Sequence, residues 1–180
     1  MSIAQKASSV QLHLGALQIL VPIVDSLYSQ SSLTPERILT VMSAPFHLQP
    51  KDLVARKNSH DERRTARYAA ATTIVDVLGL SFPCTGRLFS SWHHSGVMHA
   101  YYGFHGAYQR LTGKELLKPN KSLKDVSQRI ETPAFVEGTQ DLDADTLLQR
   151  ARDASDLATR DAFLRTYTAR KLEELTRSPE

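Results

Sequence analysis

The chain has 180 residues, 41% of them hydrophobic, with a formal charge of +3 and a pI of about 9.1. That apolar content is enough for a modest core and excludes wholesale disorder, and the charge is too small for a uniformly cationic protein. The single Cys84 excludes an internal disulfide and fits a reducing cytoplasm; MSIAQKASSV lacks a secretory pattern, and the apolar run Leu17–Val24 is too short to span a bilayer.

Residues from about Ser8 to Tyr28 place Val10, Leu14, Leu17, Val21, Val24 and Tyr28 at helical spacing, with Pro22 expected to kink or break the helix. SQSSL (Ser29–Leu33) reads as a linker. Thr34-Pro35-Glu36 then starts a helix to about Ser43, through a capping hydroxyl, a first-turn proline and an acid. A short helix is possible at Pro50–Leu53. A longer one is expected over Asp61–Leu78, with Asp61 and Glu62 at its positive end, a small-residue face (Ala66, Ala69, Ala70, Thr73) and Gly79 as its stop. Ser81 caps FPCTGRLF, Ser90-Ser91 form a turn, and another helix begins near His93 or His94. Gly103, Gly106 and Gly113 are expected to loosen the chain beyond its start, although Phe104, Tyr108 and Leu111 can continue a helix.

Beyond the break at Lys118–Lys121, Ser122 caps a short helix to about Ile130, and Thr132–Gln140 is a linker. Asp143 caps a helix whose periodicity continues almost to the end. Strand alternation is absent, so an all-α protein is expected, divided as an N-terminal amphipathic helix and linker (1–33), a central domain (34–117) and a C-terminal helical extension (118–180).

Charge is uneven. Between Lys51 and Arg67 the bases Lys51, Arg56, Lys57, Arg63, Arg64 and Arg67 outnumber the acids Asp52, Asp61 and Glu62. A local basic excess beside a balanced remainder fits either a polyanion-binding face or a solvated helix start.

From Ile38 to Ala100 the chain resembles the C-terminal DNA-binding domain of the bacterial replication initiator DnaA, a Trp-repressor-like helix-turn-helix. Ile38, Val41, Phe46 and Lys51-Asp52-Leu53 are similar to its opening helix and Asp-Leu turn. Arg56-Lys57 with Arg63, Arg64 and Arg67 resemble its basic loop and scaffold helix. Leu80-Ser81-Phe82-Pro83 and Gly86-Arg87-Leu88-Phe89 resemble its Ser-Leu-Pro-Glu-Ile-Gly-x-x-Phe helix. His94-Ser95 and Val97-Met98-His99-Ala100 resemble its recognition helix. The likeness covers about residues 34–105. Ser90-Ser91-Trp92-His93 stands where the family has Gly-Gly-Arg-Asp, and Ser95-Gly96 where it has Thr-Thr, so docking in the major groove is implied without the family's usual target box. No G-x-x-x-x-G-K-[ST] loop occurs, so the resemblance does not extend to an ATPase.

The resemblance implies double-stranded DNA as partner, with Arg56, Lys57, Arg63, Arg64, Arg67, Arg87, Ser91, Trp92, His93, His94, Ser95 and His99 as candidate contacts; no paired carboxylates or ligand cluster at a convincing spacing point to an enzyme, and no cofactor is expected. His94 and Ser95, in the first turn of the second helix, are placed to read base edges, and Arg87 to meet phosphate. Gly96 removes bulk where that helix would approach DNA, and Met98 is expected inward. Trp92 could stack on a sugar or base or cover the turn, and His99 could meet phosphate or the scaffold. A metal site at His93, His94 and His99 is disfavoured, because His94 and His99 lie about 140° apart on a helix and chelating pairs prefer i,i+4. Cys84 has no evident base and reads as an ordinary small thiol. The apolar stripes of the two flanks imply folding back on the domain or a partner surface, with a homodimer expected through them. The expected function is regulation of transcription or of a replication origin in the cytoplasm, on the nucleoid. A protein-interaction module that binds a replication or transcription partner is the alternative.

Overall fold

A computed structural model describes residues 11–55, 60–116, 139 and 142–177, and all regular structure among them is helical. Eight α-helices are described, with a 3-10 turn at Ala44–Phe46: α1 Leu14–Tyr28, α2 Pro35–Ser43, α3 Pro50–Val54, α4 Asp61–Leu78, α5 Phe82–Leu88, α6 His94–Thr112, α7 Ala144–Asp153 and α8 Leu157–Arg177. The protein is all-α.

The starts obey local capping chemistry. Thr34, Ser81 and Asp143 each accept a backbone N–H in the first turn of α2, α5 and α7 (3.3, 3.4 and 2.7 Å), satisfying donors that a helix start leaves without partners. Gly79 ends α4 at φ 65°, a left-handed conformation that side chains disfavour.

At the centre lies α4. Thr65, Ala66, Ala69, Ala70, Ala71, Thr72, Thr73 and Ile74 are all buried, and their small side chains let α1, α2, α3, α5 and α6 approach. α1 packs on α2, α4, α6 and α8, while α8 pairs with α7 and also meets α2. Leu20, Ile23, Leu27, Ile38, Met42, Leu53, Ile74, Phe104, Leu147, Leu164 and Tyr167 form one continuous apolar core. Most of the stripes of α1, α7 and α8 is thus covered by the chain itself, while Leu14 and Leu157 stay exposed.

Several local expectations change. Pro22 neither breaks nor stops α1: Leu20, Val21, Ile23 and Val24 around it are buried, so packing carries the helix through its missing hydrogen bond. The helix also begins later, at Leu14, where the His13 ring accepts the Ala16 N–H at 3.2 Å. Gly103 and Gly106 do not loosen α6, because Gly103, Phe104, Ala107 and Tyr108 lie against the core. The C-terminal periodicity is two helices, interrupted at 154–156, where Asp156 accepts the Thr159 N–H at 2.8 Å and opens α8. The expected helix from Ser122 to Ile130 lies outside the described residues.

Candidate nucleic-acid interface

α5 and α6 are joined by a tight turn from Phe89 to His93. Ser90 and Ser91 both take positive φ (51° and 58°), uncommon for non-glycine residues, and this turns the chain sharply between the helices. Ser91 is exposed. The Trp92 N–H closes the turn by donating to Gly86 O at 2.8 Å and Phe89 O at 3.2 Å.

Trp92 covers the turn rather than projecting from it. Its ring lies 5.8 Å from that of Tyr68 and 5.9 Å from that of Phe89, with the Arg67 guanidinium 4.3 Å from its centroid. Gly96 takes on a different meaning. A Cβ there would stand 2.2 Å from Trp92 Nε1, so the glycine makes room for the tryptophan ring.

α6 divides cleanly by face. Val97, Ala100, Tyr101 and Phe104 are buried, while His94, Ser95 and His99 are exposed, with Met98 and Tyr102 half-buried beside them. Met98 therefore does not point fully inward. Tyr102 was missed from the sequence, although its i+3 spacing from His99 and i+4 from Met98 puts it on the same strip. His93 caps α6. Its Nδ1 accepts the Ser95 N–H at 3.4 Å and lies 2.8 Å from Ser95 Oγ. The rings of His93 and His94 lie 4.1 Å apart, tilted by 42°. Among the described residues no cluster of histidine, cysteine or acid could hold a metal ion, and no helix is long and apolar enough to cross a membrane.

The basic candidates separate. Arg63 donates from Nε and a terminal nitrogen to Asp52 O, and Arg67 donates to Ala55 O (3.0 Å) and Phe89 O (3.3 Å). Both guanidinium groups therefore bind the chain's own carbonyls. Arg64 stays half-exposed while pairing with Asp61 and donating to Gln11 O. Arg87 is exposed and donates to Cys84 Sγ at 3.1 Å. Arg56 and Lys57 lie outside the described residues. Hydrogen bonds from Ser81 and Arg87 hold the Cys84 thiol below its ordinary pKa.

Beneath α6 runs a polar seam that the sequence did not reveal. The Asp76 side chain, 0% exposed, accepts hydrogen bonds from Tyr28 Oη (2.6 Å), Tyr101 Oη (2.8 Å) and His105 Nε2 (2.9 Å). One turn along α6, Tyr108 Oη donates to Asp25 at 2.7 Å, and Arg165 stands 3.6 Å from the same carboxylate. Burial raises the Asp25 pKa, with the Tyr108 hydrogen bond opposing it; burial and the neighbouring carboxylates push the Tyr28, Tyr101 and Tyr108 hydroxyls upward. The seam bonds α6 to α1, α4 and α8 and fixes the helix that carries the exposed strip.

No protein-family model, curated protein or solved structure matches this chain. The likeness to the initiator domain therefore rests on the motif residues themselves.

Proposed function

We propose that the protein binds double-stranded DNA through α5, the turn and α6, and regulates transcription or a replication origin by occupying sites. The observation that supports this reading is the exposed polar strip His94, Ser95 and His99 on the first turns of a long helix held rigidly from beneath. Short polar side chains there can reach base edges once the helix enters the major groove. Arg64 and Arg87, still exposed in part, would meet phosphates, whereas Arg63 and Arg67 are structural. Most of the flanking apolar stripe is covered by the chain's own core, with Leu14 and Leu157 left exposed, the part of it that a homodimer would use.

Selection of bound duplex oligonucleotides, followed by gel-shift titration across a salt series, tests it. Enrichment of a common site, lost in His94→Ala or Ser95→Ala, is the expected result; no duplex binding at moderate salt overturns the proposal. A protein-binding module is the second reading. It is favoured by the half-buried Met98 and Tyr102 within the strip and by the two arginines already held by backbone carbonyls.

A further inference from the structure

The turn before α6 is closed around one residue, Trp92: α5 meets its backbone carbonyl, while α4 and α6 meet its indole ring. On α5, a Cβ at Gly86 would stand 2.1 Å from Trp92 O; on α6, a Cβ at Gly96 would stand 2.2 Å from Trp92 Nε1. α5 and α6 thus meet Trp92 at the two positions where any other residue would collide with it. From α4, the Arg67 guanidinium covers the indole at 4.3 Å and reaches Phe89 O in the same turn and Ala55 O at the end of α3. A planar fork can stack and donate to two carbonyls at once, whereas an ammonium cannot reproduce that geometry. Trp92 directly precedes His93, the cap of α6, and His94, its first residue.

Building on the DNA-binding reading, we infer that Arg67 and Trp92 are positioning residues, which set the height and angle at which the first turn of α6 meets a duplex, and that neither contacts DNA. Arg67 ties that turn to α3 and α4, and the Trp92 indole spaces α6 from α4. Displacing the ring moves His94 and Ser95 relative to the scaffold while their own side chains are unchanged. Base readout then suffers, because it depends on hydrogen-bond geometry. Phosphate attraction, which depends on charge, does not.

The test compares wild type, Arg67→Lys, Gly96→Ala and the double variant Gly96→Ala/Trp92→Leu, whose flexible leucine can turn away from the new methyl group. Affinity for the selected duplex and for a scrambled duplex is measured across a salt series, and circular dichroism checks folding. Trp92 is the only tryptophan, so its emission reports the turn directly in Arg67→Lys and Gly96→Ala. Both single variants are expected to change that emission and to lose discrimination by roughly tenfold or more, the worth of a lost base contact. Their salt slopes should hold, and the double variant should regain discrimination over Gly96→Ala. Arg67→Lys, which adds nothing to the notch, carries the test if Gly96→Ala does not fold. Wild type that binds no duplex overturns the DNA reading, and the inference with it. Wild type that discriminates, beside Arg67→Lys with full discrimination or a salt slope lowered by about one, overturns the inference alone, the latter marking Arg67 as a phosphate contact.

Discussion

Replacing Asp76 with alanine should be among the most damaging single changes available in this fold. The carboxylate is 0% exposed and accepts three hydrogen bonds from α1 and α6. Hydrogen bonds to a charged group contribute roughly 1.5–3 kcal/mol each, but removing the acceptor also removes the cost of burying its charge. His105, 17% exposed, can turn to water, whereas the Tyr28 and Tyr101 hydroxyls lose their carboxylate inside the helix packing. The net loss expected is about 3–5 kcal/mol, within the range for breaking a buried charged network. Tyr28→Phe removes one donor and leaves the carboxylate two others, so about 1–2 kcal/mol should be lost. With a urea dependence of about 2 kcal/mol/M, the midpoints should fall by about 1.5–2.5 M and about 0.5–1 M respectively. Urea unfolding followed by far-ultraviolet circular dichroism reads both. A Tyr28→Phe loss equal to or larger than that of Asp76→Ala would refute the view that the carboxylate is the hub of the seam.

Arg64→Ala and Arg87→Ala should weaken binding to all duplexes alike and lower the salt slope by about one each, a pattern gel shifts distinguish from the altered site preference of His94→Ala. The lowered pKa of Cys84 means more thiolate at a given pH. Its alkylation by iodoacetamide should therefore set in at lower pH in the folded chain than in the urea-unfolded one, and Arg87→Ala should move the profile back up. Asp143 and Asp156 have pKa values lowered by the Thr146 and Thr159 N–H donors. Their stabilising contribution is present above the ordinary carboxylate value and lost as pH falls through the lowered one. Acid unfolding of the Asp143→Asn/Asp156→Asn chain should accordingly be shallower below pH ~4. Gly79→Ala, at φ 65° with open space around it, should cost about 1–2 kcal/mol in thermal unfolding, whereas Gly86→Ala should cost more, because its methyl group meets backbone.

Sequence alone determined the helical class and most helix starts. Thr34, Ser81 and Asp143 act through bonds within one turn, so their meaning is local and the structure follows it. The same holds for the Ser90-Ser91 turn and for the start of α6, which together place His94 and Ser95. Tertiary structure decided what distance along the chain conceals. Packing on both sides carries α1 through Pro22, and core contacts hold Gly103 inside α6. Arg63 and Arg67 look like phosphate ligands when only charge is read, yet carbonyls 11 and 12 residues away take them up. Asp76 gains its partners from residues 25 to 48 positions distant. A polar side chain buried by helices that meet only on folding has no periodic signature, because its partners are selected in space. Caps and periodicity report the local half of the free energy; the identity of each buried partner belongs to the fold.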